Sequence, residues 1–351
     1  MSRSDQPASA SKKSSFIFVI AGVVWAFLAA MFFLIYSAGT PSDGYLIGTA
    51  IFEIVAYFGA AVLCLRNSLS SNNVSGKSVW VGIGVGMALY CIGSCLYAYW
   101  EVVLKLTADV SLGDLFYVAS YLFLIYGMLR AVLERRLNLD PKQWAIVLGV
   151  GVIGVVIAVY VNNASIADAP KADFSLMQPA LAQSASTPPS PTKPAAKPLV
   201  APSVKASPVA PKVVPASPTP IATPEAEAQE AQKKSSAPAW AMQLDDALRP
   251  FKTPLNWFYV VADSCLLTIA TALLTAFWGG RFSQSWRMIA FATFSLYVAD
   301  IWVKYATNTQ PDYKSGSLPE VFFVFAGVLF GIGAVLEYDL SKSRRTNRRR
   351  S

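Results

Sequence analysis

The sequence contains no histidine among its 351 residues. It therefore lacks the side chain that most often serves as general base, metal ligand or pH switch near neutral pH. Charged residues are also scarce, at 14% of the chain against about 25% in a typical soluble protein. The four cysteines lie in apolar stretches, and no pair has the loop spacing typical of zinc or redox sites. These shortages favour lipid as the solvent, and we expect neither a metal site nor a cofactor.

Apolar residues make up 54% of the chain, and they occur in long runs. A helix needs about 20 apolar residues to cross a bilayer. Eight runs qualify: 16–37, 45–65, 79–104, 114–133, 143–161, 257–278, 288–307 and 320–338. We therefore predict an all-α integral membrane protein with about eight transmembrane helices.

Lysine and arginine alternate between the short loops. The N-terminal segment 1–15, the loops after the second, fourth and sixth runs, and the tail 339–351 are basic, whereas the intervening short loops carry at most one base each. Basic loops remain in the cytoplasm, so we predict a bacterial inner-membrane protein with both termini cytoplasmic and 162–256 outside. Clustered arginines next to a membrane helix attract anionic lipids. We therefore expect the Arg-rich tail to bind the bilayer, and we do not expect the chain to bind nucleic acid.

The predicted extracytoplasmic segment 162–256 is rich in proline and alanine. Its central part has almost no aromatic residues, so too little apolar surface is available to offset the entropy of ordering. We predict a disordered arm that acts as a spacer. It ends in a short amphipathic helix, 240–251, which either lies on the outer leaflet or docks on the helix bundle. The apolar face of that helix comprises Trp240, Leu244, Leu248 and Phe251.

The two membrane parts, 16–161 with five helices and 257–338 with three, align without a gap when the chain is shifted by 206 residues. This shift places Trp80 on Trp286 and Asp114 on Glu320. We therefore predict a parallel internal repeat of a three-helix unit, formed by runs two to four and six to eight. The disordered arm is an insertion between the two halves.

A few ionisable and polar residues interrupt the runs. Such groups normally face the interior of a helix bundle or water, and these lie at similar depths in the predicted outer half. We predict an outward-facing polar pocket for a small polar ligand or cation. The alternative is a structural ion pair between Asp300 and Lys304, one helical turn apart, together with carboxylates that reach the outer membrane interface. The candidate residues are Glu53, Asp263, Ser264, Thr268, Asp300 and Lys304. Asp114 and Glu320, at predicted helix starts, are expected to cap free N–H groups.

The fourth run carries a recognisable pattern. Its stretch SLGDLFYVASYLFLIYG, which includes Asp114, Tyr117 and Tyr121, resembles a helix in the multi-helix membrane sensory regions of bacterial histidine kinases and diguanylate cyclases. A looser copy, LPEVFFVFAGVLFG, begins at Leu318. The resemblance implies a sensor, and because no output module follows the eighth run in these residues, a separate membrane or cytoplasmic signalling partner is expected to carry the signal.

Three functions remain open from the sequence. A non-enzymatic sensor or signalling accessory agrees with the resemblance and the polar pocket. A transporter of small solutes or ions agrees with the duplicated unit, and a structural or assembly factor agrees with an extracytoplasmic tether. We do not expect an enzyme, because without histidine no nucleophile–base pair or metal cluster is apparent.

Overall fold

The apolar runs form helices in the computed structural model, which describes residues 6–36, 42–70, 75–106, 110–135, 139–164, 238–277, 283–310 and 313–348. Apart from short 3₁₀ and π segments, the described residues form nine α-helices and no strand. These helices are α1 (Gln6–Tyr36), α2 (Asp43–Ser68), α3 (Lys77–Ala98), α4 (Leu112–Arg135), α5 (Pro141–Asn162), α6 (Ala239–Leu248), α7 (Lys252–Ala276), α8 (Ser283–Thr309) and α9 (Val321–Arg348).

Eight helical stretches of the described chain are long and apolar enough to cross a membrane. The predictions of a helical fold and of eight such stretches are therefore confirmed for these residues. The sixth stretch, Ala239–Ala276, is longer than predicted because the short helix α6 runs through a 3₁₀ turn, Arg249–Phe251, directly into α7. Residues 165–237 of the predicted disordered arm and the arginine side chains of the tail lie outside the described residues.

Helix α6 docks on the bundle, which is the second of the two alternatives. Ala241 is fully buried in a small apolar cluster with Trp100, Leu104 and Leu106, and the rings of Trp100 and Trp240 meet edge to face at 6.3 Å. Contact through the small Ala241 side chain lets the helix approach closely. Trp240, the first residue of the predicted apolar face, remains about half exposed.

Six helices form a closed ring. Within the first triplet, defined as α2, α3 and α4, each helix packs on the next, and the same holds for the second triplet, α7, α8 and α9. The ring closes because α4 packs on α7 and α9 packs on α2. Helix α1 lies against α9 and α2, and α5 lies against α7 and α8.

Glycines allow the tightest contacts within the ring. A Cβ atom added at Gly82 would lie 2.6 Å from the Cα of Gly127, so the α3 and α4 backbones are in direct contact. A Cβ at Gly327 would lie 2.9 Å from Ala56, which fixes α9 against α2. Both sites begin the small-residue motifs Gly82-x-x-x-Gly86 and Gly327-x-x-x-Gly331, which is the packing role that such motifs have between apolar helices.

Two tryptophans join the triplets near one end of the ring. Trp80 of α3 and Trp286 of α8 are both at most 1% exposed, and their ring centroids are 6.5 Å apart. Each lies within the first turn of its helix, so this is the end at which α3 and α8 begin. We call it the tryptophan end.

Polar contacts connect α9 to the end of α2 and to the residues just before α3, near the tryptophan end. Glu337 is fully buried and accepts a hydrogen bond of 2.6 Å from the hydroxyl of Ser75. The Asn67 amide donates to the carbonyl of Ala334 at 2.8 Å, and the Arg66 guanidinium lies 4.2 Å from the centre of the Tyr338 ring. Since buried polar groups are costly when unpaired, these contacts help to fix the position of α9 relative to α2 and α3.

Candidate functional site

A cavity of about 250 Å³ opens at the opposite end of the ring, where α2 and α4 begin and α3 and α8 end. Both triplets supply its wall. Among the described residues that line it, six are acidic, one is a lysine and five are tyrosines. These residues are Glu53, Glu101, Asp114, Asp263, Asp300 and Glu320, then Lys304, and then Tyr90, Tyr97, Tyr117, Tyr121 and Tyr259.

One tyrosine connects the two triplets within this wall. The hydroxyl of Tyr121, on α4, lies 2.7 Å from Oδ1 of Asp263 on α7 and also makes a hydrogen bond with Oδ2 of Asp300 on α8. Tyr121 is 1% exposed and Asp263 4%. The Asp263 and Asp300 carboxyl groups also lie within hydrogen-bonding reach of each other. Three helices therefore meet at one polar cluster, which we call the Tyr121 cluster.

A second hydrogen-bonded chain lies in the first triplet. The hydroxyl of Ser94, on α3, donates to the Glu53 carboxylate on α2 at 2.6 Å. The Tyr117 hydroxyl of α4 in turn donates to Ser94 Oγ at 3.3 Å. The Tyr90 ring packs against Tyr117 with 4.7 Å between centroids, so aromatic surface flanks this carboxylate.

Asp114 caps its helix as predicted and also belongs to the cavity wall. Its Oδ2 accepts from the backbone N–H of Ser111 at 2.7 Å and from the Ser111 hydroxyl. Its Oδ1 accepts from the Tyr259 hydroxyl of α7 at 2.9 Å. The capping carboxylate is thus a second link between the two triplets.

Glu320 has the corresponding place before α9. It completes a capping box with Ser317, accepts from the backbone N–H of Gly316 at 2.9 Å and receives a hydrogen bond from the Tyr313 hydroxyl. Burial, with the neighbouring Glu320 carboxylate as a smaller contribution, raises the pKa of Tyr313, so this phenol stays protonated as a donor. Glu320 thereby holds the segment 313–320 over the edge of the cavity.

The structure brings four of the six predicted pocket residues together. Glu53, Asp263, Asp300 and Lys304 all line the cavity. The other two lie elsewhere in the helix: the Ser264 hydroxyl donates to the carbonyl of Val260, and Thr268 donates to that of Ser264, both at 2.7 Å. A hydroxyl inside a helix often bonds to the carbonyl four residues earlier, and a polar stripe does not by itself show what it faces.

The tyrosines and Glu101 line the cavity although they are not among the predicted pocket residues. A signal for part of this set was present, because Asp114, Tyr117 and Tyr121 are spaced by three and four residues and therefore share one helix face. Glu101 carried a signal as well, because it is a charged residue within the predicted run 79–104, and the structure places it in a π-helical segment, Tyr99–Val103, that extends α3. There Glu101 accepts from the backbone N–H of Ser315 at 3.1 Å.

Comparison with protein-family models, with curated proteins and with solved structures finds no match. The chemistry of the wall is therefore the guide to its role. Carboxylates attract cations, and the faces of tyrosine rings stabilise them further. Within the described ranges, no group of three or more cysteine or acidic side chains is arranged to hold a metal ion.

Proposed function

We propose that this chain is an integral protein of the bacterial inner membrane. The eight long apolar helices support insertion, and the alternation of basic and base-poor loops supports an orientation with both termini in the cytoplasm. In that orientation the cavity opens on the outer side, the tryptophan end lies inside, and residues 162–256, which include helix α6, lie outside.

The three-helix unit is proposed to occur twice in the same orientation. The ring supports this, because the first helix of each triplet packs on the last helix of the other, as a twofold axis along the membrane normal requires. Equivalent positions in the shifted alignment also have equivalent surroundings: Trp80 contacts Trp286, and Asp114 and Glu320 both cap a helix and bind a tyrosine hydroxyl.

The protein acts in this proposal as a non-enzymatic sensor or signalling accessory. The Tyr121 cluster carries the proposal, because one hydroxyl of the first triplet binds two carboxyl groups of the second. A ligand that enters the cavity and alters these bonds changes how the triplets fit together. Packed helices transmit such a change as a discrete shift, and at the cytoplasmic end it alters the surface offered to a separate partner.

The resemblance to sensory regions of signalling proteins points the same way. Asp114, Tyr117 and Tyr121, which carry the resembling pattern, all lie in the cavity wall. In this proposal they recognise the signal, and the output is made by another protein of the membrane or cytoplasm.

A thermal-shift screen tests the binding step with the full chain in nanodiscs, against a library of small cationic, anionic and neutral compounds. We expect compounds that stabilise the wild type but not the double variant Asp263→Asn/Asp300→Asn. The matched control is Asp245→Asn/Asp246→Asn, which makes the same two changes from aspartate to asparagine in α6, outside the cavity, and is expected to respond like the wild type. Equal responses in all three proteins contradict a ligand site in the cavity.

Photo-crosslinking from native membranes tests the signalling step. We place the crosslinker near the tryptophan end and expect one partner whose capture changes when a stabilising compound is added.

The alternative of a small-solute or ion transporter is supported by the proposed repeat and predicts uptake of the compound into proteoliposomes. The alternative of a structural or assembly factor predicts that the charge-neutral variants have no effect and that deletion of 180–238 does.

A further inference from the structure

If Asp263 and Asp300 were both ionised, the Tyr121 cluster would contain more hydrogen-bond acceptors than its single donor, the Tyr121 hydroxyl, could satisfy. A tyrosine hydroxyl has one hydrogen and donates it once. Yet the hydroxyl of Tyr121 is bonded to both Asp263 and Asp300, and the two carboxyl groups also lie within hydrogen-bonding reach of each other. Two adjoining carboxylates do not both ionise readily in such a place. One of them therefore carries a proton, shared across the cluster.

The surroundings of the cluster make this proton exchangeable for another positive charge. The charged groups that face the cavity from the neighbouring elements are Glu53 of α2, Glu101 after α3, Asp114 of α4, Glu320 before α9 and Lys304 of α8. Among the described residues of the wall, acids thus outnumber the one lysine six to one. A positive ligand is favoured here, because it compensates the charge left when the proton departs.

The aromatic part of the wall indicates which kind of cation fits. Tyr90 and Tyr117 meet at 4.7 Å, and Tyr121 and Tyr259 at 5.6 Å between ring centroids. Aromatic rings in the wall of a cavity stabilise alkylammonium ions, which shed water more readily than small inorganic cations. The cavity of about 250 Å³ has the volume of about eight water molecules at ~30 Å³ each, which is room for a small amine.

We propose that the cavity binds a small organic cation, an alkylammonium or quaternary ammonium ion, in exchange for the proton held by the Tyr121 cluster. This inference rests on the proposed function and names the ligand class of that site. On binding, the O–H bond of the protonated carboxyl breaks, the oxygen keeps the electron pair, and the proton passes to water at the mouth of the cavity. The ammonium ion takes its place as counter-charge, and Tyr121 remains as donor to one carboxylate.

Calorimetry of the full chain in nanodiscs tests the exchange, with choline and butylammonium as probes and the neutral tert-butyl analogue of choline as control. Titrations in two buffers of different ionisation enthalpy count the protons released. We expect about one proton per bound cation, and an affinity that falls about tenfold for each unit by which the pH is lowered while the cluster is protonated. The neutral analogue is expected not to bind.

The variant Asp263→Asn separates proton exchange from simple attraction. Asparagine offers an amide donor to Asp300 without an acidic proton, so the variant is expected to bind choline with no linked proton release, whereas Asp246→Asn releases it as the wild type does. Infrared difference spectroscopy tests the same exchange in the wild type alone. We expect the absorption band of a protonated carboxyl group to disappear when choline binds.

Several results overturn the inference. Binding without proton release refutes the exchange, and equal binding of the neutral analogue, or equal proton release by sodium, refutes the ligand class. If neither cation binds but another compound of the screen acts through Asp263 and Asp300, this inference fails while the proposed function stands. If no compound acts through these residues, the proposed function fails as well.

Discussion

Replacement of Tyr121 by phenylalanine is the most direct perturbation of the cluster that joins the two triplets. The change removes only the hydroxyl, and the ring contacts with Phe258 and Tyr259 are kept. A hydrogen bond to a charged group contributes about 1.5–3 kcal/mol and one to a neutral group about 1 kcal/mol. The carboxyl groups of Asp263 and Asp300 still reach each other, and this recovers part of the loss. We therefore expect the free energy of unfolding to fall by about 2–3 kcal/mol.

The measurement is reversible unfolding of the purified chain in mixed micelles, with Tyr126→Phe as matched control. Tyr126 lies on the same helix but is 48% exposed, so its variant is expected to stay within about 0.5 kcal/mol of the wild type. We also expect Tyr121→Phe to be cleaved faster than the wild type in limited proteolysis, because its two triplets are held together less firmly. Equal stability of the two variants would refute the assignment of the Tyr121 hydroxyl as a link between the triplets.

Two further substitutions test the packing and the cavity edge. Gly82→Ala places a methyl group about 1 Å closer to Gly127 than the ~3.5–4 Å of an ordinary carbon–carbon contact, so we expect a loss of about 1–3 kcal/mol in the free energy of unfolding. Gly59→Ala, which has nothing within 4 Å of its added Cβ, is expected to be neutral or stabilising, and the reverse order of the two variants contradicts the close contact of α3 and α4. Glu320→Gln is expected to speed hydrogen–deuterium exchange at the Gly316 amide, whose acceptor is the Glu320 carboxylate, and unchanged exchange contradicts the role of that carboxylate in holding the segment.

The helices were predictable because the signal for each is local. A run of about 20 apolar residues is sufficient to indicate a membrane-spanning helix, and the capping residues Asp114 and Glu320 follow from position alone. Closure of the six helices into a ring was not predictable from such runs, since a helix that is apolar on all sides does not reveal which side meets a neighbour.

The site was predictable only in part, for a related reason. Charged residues within apolar runs have to be accommodated by the bundle, and this pointed to Glu53, Asp263 and Asp300. Tyrosines are common both in bundle interiors and at membrane surfaces, so the sequence does not indicate that the hydroxyl groups of Tyr121 and Tyr259 bind carboxyl groups of other helices.

The contact of Trp80 with Trp286 has a spectroscopic consequence. Two indoles with centroids 6.5 Å apart and planes inclined by 39° share their electronic excitation, and this splits the absorption into two circular-dichroism bands of opposite sign. Subtraction of the spectrum of Trp286→Phe isolates this couplet from the other tryptophans. The amplitude of the couplet depends on the distance and angle between the two indoles. Because one indole belongs to each triplet, this amplitude reports a change in the relative position of the triplets without any added label.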